Sequence, residues 1–426
     1  MLLEEIEELK KDDKGGQKKS RILQALENKD LNVQFEDALG NEMVLNMGPQ
    51  HPATHGVLRL LVSLDGETVT NCVPELGYLH RGYEKLAESC SYHEFIPHTD
   101  RLDYHSPMAN NVGYALAVEK LLHLEIPERG KYIRVIIAEL ARIQSHLLAV
   151  GALVMDIGAV TPFLWAIRER EKILDLYDII CGARFTTSYT RIGGVAQDIS
   201  DEALAGIRKF IDDFGENLDE MRQLVERNKI FIIRCEGIGY LSKEKCIQLG
   251  LTGPLIRACG IERDLRRSSP YLVYDQIDFR VPTYTDSDCL ARYYVRVEEL
   301  VESVKIIRQC LDKIPSGPHN ALQSKKVLPS KDRVYTKMEE LLHDFMIINF
   351  GVNPPVGESY SAIEASKGEL GFYIISDGSG HPFRLKIRSP SFSNLQSLPD
   401  MMKNCMISDT VVIIGSVDPV MGEADK

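Results

Sequence analysis

Apolar residues recur every three to four positions over six long stretches of the chain, the signature of helices with one buried face. The stretches are Asn110 to Leu124, Tyr132 to Val150, Pro162 to Cys181, Asp201 to Asn228, Ser287 to Ile314 and Thr336 to Asn349. In the second, Ile136, Leu140, Ile143 and Leu147 form the apolar stripe, while Glu139, Arg142 and His146 line up on another face. Charges at that spacing on a packed helix fit an internal ion-pair network better than a reacting set. The run from Leu147 to Ile167 is nearly free of charge and long enough to span a bilayer. Asp156 in its middle, Gly151 and Gly158, and a Thr161-Pro162 pair suited to start a new helix predict instead two buried helices meeting at a break.

Near both ends of the chain the period shortens to that of strands. Val57 to Leu64 and Glu67 to Val73 flank Asp65-Gly66, a type I′ turn signal, and predict a β-hairpin. Phe372 to Ser376 and Phe383 to Ile387 flank Asp377-Gly378 and predict another. Residues 1–32 read as a charged tail, mobile or docked on a partner, with Leu2, Ile6 and Leu9 at helical spacing. Residues 33–426 read as one domain. The expected fold class is α+β, mainly α: a helical bundle with peripheral β-hairpins.

Composition narrows the function. Lys plus Arg number 50 against 62 for Asp plus Glu, so 50 − 62 gives −12 at pH 7. That sign disfavours nucleic-acid binding, which needs surplus cations to displace phosphate counterions. Nine cysteines are scattered, and no two stand three apart. A zinc ribbon is therefore excluded and an iron–sulfur cluster held by this chain is not expected. Free thiols and an acidic first segment unlike a targeting peptide predict a reducing compartment, the bacterial cytoplasm.

Six of the eleven histidines, His51, His55, His80, His93, His98 and His105, crowd into one stretch. His51 and His55 are four apart, as two metal ligands on a helix would be. Pro49, Pro52 and Gly56 make their segment a rigid loop instead, and no His-Glu-x-x-His pattern accompanies them. Gly237-Ile238-Gly239 lacks the third glycine of a dinucleotide site, and neither a Walker loop nor a Gly-x-Ser-x-Gly elbow occurs. No cofactor bound by the chain itself is expected.

Five longer motifs carry a resemblance. They are Gly48-Pro49-Gln50-His51-Pro52-Ala53-Thr54-His55-Gly56-Val57-Leu58-Arg59, Gly77-Tyr78-Leu79-His80-Arg81-Gly82-Tyr83-Glu84-Lys85, Arg101-Leu102-Asp103-Tyr104, Asp156-Ile157-Gly158-Ala159-Val160-Thr161-Pro162-Phe163 and Asp418-Pro419-Val420-Met421-Gly422. Together they resemble the D-type family among the subunits of respiratory complex I, the proton-pumping NADH:quinone oxidoreductase. That family is similar to the large subunit of nickel–iron hydrogenases. Where a hydrogenase carries two Cys-x-x-Cys pairs around its metals, this chain has Asp103 and Ser106, then Val420 and Glu423. None of these four is a soft thiolate, so the resemblance implies that the metal site has become the wall of a quinone chamber.

The same resemblance implies the roles. Tyr104 and His55 would give protons to the quinone, and Asp156 would orient and charge the histidine. His51, Arg81, Arg101, Asp103, Ser106, Asp418 and Val420 would line or support the pocket. Electrons would come from NADH, bound elsewhere in the complex, through an iron–sulfur cluster in a partner subunit. Further partners would be the other iron–sulfur subunits of the peripheral arm and the membrane arm, with the chain on the cytoplasmic side of the inner membrane. Each role has a plainer counterpart: Tyr104 as a core tyrosine, His55 as a loop clasp, Asp156 as a charge near a helix start, Val420 as core. The rival function is a hydrogenase-like enzyme that keeps a metal on its histidines.

Overall fold

A computed structural model describes residues 35–36, 42–51, 54, 56–322 and 324–426. The predicted charged tail lies outside these residues, and so does His55. The expected class is borne out, with long helices at the centre and small antiparallel sheets around them.

Strands β1 (Glu42–Met47), β2 (Arg59–Asp65) and β3 (Thr68–Glu75) form an antiparallel meander, edged by the two-residue strand Phe35–Glu36. The β2–β3 turn sits one residue later than predicted. Asp65 pairs with Thr68, so Gly66 and Glu67 form the loop, and Gly66 takes the left-handed φ of 60° that a glycine-first turn requires.

Five helices carry the centre: α1 (Pro107–Leu122), α2 (Glu128–Asp156), α3 (Val160–Cys181), α4 (Asp201–Glu226) and α5 (Cys289–Lys313). Helix α2 is the axis and packs against α1, α3 and α5. It is long and apolar enough to cross a membrane, yet most of it is buried inside the protein, as its stripe of Ile136, Leu140, Ile143 and Leu147 requires. Gly151 lets α3 cross closely, since a Cβ there would lie 3.1 Å from Ala166 Cβ and 3.2 Å from the Phe163 ring.

The predicted break between α2 and α3 is present, with two corrections. The residue that caps α3 is Ala159, so Thr161 and Pro162 fall inside its first turn, where backbone N–H groups have no helical partner to lose. Nor is the second helix buried at its start: Val160 is 53% and Leu164 58% exposed. Helix α6 (Met338–Phe350) follows, as its period predicts.

The last third adds a three-stranded sheet, β4 (Gly357–Ala365), β5 (Gly368–Ser376) and β6 (Arg384–Arg388). The predicted second hairpin is β5–β6. The tighter β4–β5 hairpin, turning on Ser366-Lys367, carries no Asn-Gly or Asp-Gly signal and is an addition to the predicted elements; β4 packs along α1. Helices α7 (Ile407–Val417) and α8 (Met421–Ala424) close the chain, with α7 against α2.

The polar triplet of α2 is an ion-pair network, as expected. Glu139 accepts from Arg142, from Arg266 at 3.0 Å, from Tyr274 at 2.6 Å and from Ser303 at 2.7 Å. Arg257 links Glu299 at 2.8 Å to Glu364 at 2.7 Å, and His146 Nε2 meets Glu299 at 2.7 Å. All these residues are buried.

Candidate functional site

The second buried polar cluster is built by four stretches distant in sequence. The first is the segment before α1. Ser106 is its N-cap residue and Pro107 starts the helix with its fixed φ. Asp103, fully buried, is held on three sides: Oδ1 accepts from the His105 N–H at 3.0 Å, Oδ2 accepts from Ser366 Oγ at 3.2 Å, and its carbonyl accepts from Asn110 Nδ2 at 3.0 Å.

The second stretch is the β4–β5 turn. Gly368 has φ 135° and packs on the backbone of Thr252 and Gly253, which leaves no room for a side chain there and drives Ser366 and Lys367 inward. Lys367 Nζ lies 2.8 Å from Asp418 Oδ2 and 4.0 Å from Asp103 Oδ2, and donates to Ser145 Oγ on α2. Burial would lower the lysine's pKa, but Asp103 and Asp418 outweigh it and hold the value above that of an ordinary lysine.

The third stretch is the end of the chain. Asp418 ends α7 in the left-handed conformation that a short polar side chain tolerates, and Pro419 stops the helix. Val420 and Glu423 follow, both without exposed surface. Gly422 lies flat on the first stretch: a Cβ on it would stand 2.6 Å from the Leu102 carbonyl, 2.7 Å from that of Arg101 and 3.5 Å from the Tyr104 ring. Asp103 and Ser106, and Val420 and Glu423, thus come from two segments that touch. The fourth stretch supplies Ser391, whose N–H donates to Glu423 Oε1 at 3.1 Å and whose hydroxyl donates to the same oxygen. Burial, then the Asp103 charge, push Glu423 up to about 7.

Tyr104 and Asp156 stand at the rim, both half-buried. The phenol is held above its ordinary pKa by burial and then by Asp103, with Lys367 pulling the other way. His105 meets its ring edge-on at 4.6 Å. Asp156 is the last residue of α2 and packs on Gly415 of α7, where a Cβ would come within 2.9 Å of its Oδ2.

The other predicted residues stay apart. His51, Arg81 and Arg101 are exposed; His51 forms an isolated bridge with Gly56, and Arg101 donates to the Pro97 carbonyl. The crowd of histidines disperses, with His80 Nδ1 2.8 Å from the Asp425 carbonyl and His98 stacked on Phe95 at 5.6 Å. Among the described residues no three His, Cys, Asp or Glu side chains are grouped to hold a metal ion. Sequence reasoning missed Lys367, Ser366 and Ser391, because a lysine on a turn reads as solvent-exposed and its partners lie far along the chain.

The family model of the 49 kDa subunit of respiratory-chain NADH dehydrogenase matches residues 156–426, which include Asp156, Lys367, Asp418 and Glu423. The chain is also 56% identical to a D-type subunit of the NADH-quinone oxidoreductase of Chloroherpeton thalassium, over 98% of this chain and 95% of that protein. It belongs to the 49 kDa, or D-type, family of these subunits. The likeness to the D-type subunit of Salinibacter ruber is 54%, over 92% of this chain and 87% of the relative. For that of Akkermansia muciniphila it is 50%, over 94% and 96%. Asp103 and Tyr104 precede the family-model match, but the longest of these alignments leaves only 2% of the chain uncovered.

Proposed function

We propose that this chain forms the quinone site of a respiratory NADH-quinone oxidoreductase, with Tyr104 giving a proton to the quinone as electrons reach it. As a member of its family the chain is one subunit of a larger complex. One observation carries the reading: a half-buried phenol at the rim of a sealed acid–lysine cluster.

Reduction of a quinone takes two electrons and two protons, and the carbonyl oxygens become strongly basic only as charge arrives. A donor for this must keep its proton until then. Tyr104 meets that need, since its raised pKa leaves the phenol neutral at pH 7 while its edge of the cluster remains open. His55 would supply the second proton, with Asp156 orienting the imidazole. Asp156 and Tyr104 flank one C-terminal stretch, packed on Gly415 and Gly422 respectively. The open face of these residues would be completed by an iron–sulfur partner subunit, which brings electrons from NADH bound elsewhere in the complex. The ring and tail of the quinone would lie between the two subunits, and the membrane arm would couple the reaction to proton translocation. The chain would sit peripherally on the cytoplasmic side of the membrane.

The test is Tyr104→Phe, with His55→Ala beside it, in the assembled complex. NADH oxidation coupled to quinone should fall by roughly 10²-fold for Tyr104→Phe, the lower end of what a general acid supplies, while assembly is unchanged. Wild-type turnover in both variants would leave the chain a scaffold.

A further inference from the structure

Tyr104 loses its proton when it donates, and the site must restore it. Asp103, Asp418 and Glu423 place three carboxyls in one buried space around Lys367, with the Arg296 guanidinium beside Asp418 and Lys426 beside Glu423. Glu423 is supported on one oxygen only. Its Oε1 accepts two hydrogen bonds from Ser391, but its Oε2 is buried with no hydrogen-bond partner. A carboxylate oxygen left bare in a dry interior is costly, and the protonated acid removes that cost. Glu423 follows Gly422, on which a Cβ would stand 3.5 Å from the Tyr104 ring and 2.6 and 2.7 Å from the Leu102 and Arg101 carbonyls.

Resting on the quinone-site reading, we propose that Glu423 stores a proton in this sealed cluster and that the cluster returns it to Tyr104 after the phenol has protonated the quinone. The step moves one proton and no electrons. The O–H bond of the Glu423 acid breaks, an O–H bond re-forms on the Tyr104 phenolate, and Glu423 is left as a carboxylate until a proton from solvent reaches it past the partly exposed Lys426. Asp103 and Lys367 act on both groups, and the ammonium offsets first the phenolate, then the new carboxylate. Glu423 touches no substrate and acts through Tyr104. The groups that face it are Asp103 beside Tyr104, Lys367 from the β4–β5 turn, Ser391, and Lys426 at the end of the chain, which burial holds at about 8. Glu423 itself lies at about 7, so the stored proton is held on the acid side of neutrality and is lost as the medium becomes alkaline.

The experiment is Glu423→Gln in the assembled complex, with turnover and KM for a soluble quinone measured between about pH 6 and 8. Glutamine keeps the shape and the contact with Ser391 but holds no transferable proton. Turnover should fall about tenfold at the acid end, KM should stay within about twofold, and the alkaline decline expected of the wild type should vanish. Ser391→Ala is the companion, and it keeps the test open if Glu423→Gln fails to assemble. It removes a hydrogen bond that favours the carboxylate, so the alkaline decline should move to higher pH. Wild-type turnover with an unmoved profile in either variant overturns the proposal. Should Tyr104→Phe be slow in the same preparations, the quinone-site reading survives that failure; should it too turn over normally, both fall.

Discussion

The two buried polar clusters differ in how completely they are paired. In the network around α2, the carboxylates of Glu139, Glu299, Glu364 and Asp264 meet the guanidiniums of Arg142, Arg257 and Arg266, with Tyr274, Ser303 and His146 filling the remaining positions. In the cluster below Tyr104, Lys367 pairs with Asp418, whereas Glu423 accepts from Ser391 on one oxygen and its other oxygen is left bare. Paired charges in a dry interior fix a structure, whereas a half-satisfied acid stays responsive because a proton is its cheapest remedy. The first also positions the second. Arg142 donates to the carbonyls of Glu364 and Ala365, directly before the Ser366-Lys367 turn, and Ser145, less than one helical turn from Arg142, receives the Lys367 ammonium.

The largest way to break this contrast is Arg257→Ala. It strips Glu299 and Glu364 of their shared partner, and the expected cost is about 3–5 kcal/mol, read as a lower unfolding midpoint or lost assembly. An unchanged midpoint would remove the network's structural role. A pH titration sharpens the comparison next. Burial, against the pull of Glu299, lowers His146 to about 4 from an ordinary value of 6.5. Between those values the unfolded chain binds the extra proton, so stability is complete above 6.5 and declines as pH falls toward 4, by at most ~3 kcal/mol. His146→Gln should flatten that slope in the acid unfolding of the complex. The smallest effect is expected at the rim. Gly415→Ala puts a methyl 2.9 Å from Asp156 Oδ2, and displacing that carboxylate should slow quinone reduction about threefold, for a stability cost of ~1–2 kcal/mol.

How much of this was legible in the sequence follows from the range of each interaction. All six predicted helices are present, five within three residues of their expected ends and α2 four to six residues longer at each end, because their period is a local property, and the Glu139, Arg142 and His146 network declares itself by its spacing on α2. The turn at Gly66 slips by one residue because glycine serves a hairpin at either central position. Motif resemblance reaches the pieces of the candidate site, Asp103, Tyr104, Asp156 and Asp418, yet gives no sign that His51, Arg81 and Arg101 stand exposed while Lys367 turns inward. Lys367 depends on a hairpin that brings residue 367 onto 103, 145 and 418, a conjunction that no window of sequence contains.

The clasp at the end of the chain also sets an order of events. The Asp425 carboxylate accepts from the N–H groups of Gly77 and Leu79 at 2.8 Å each, and Gly422 seals the Arg101–Tyr104 backbone. These closing residues leave the ribosome after everything they cover. A nascent chain can therefore wind its central helices early, but its acidic hollow stays wet and unsealed until residues 418–425 have emerged, which makes completion of that hollow a late act of folding.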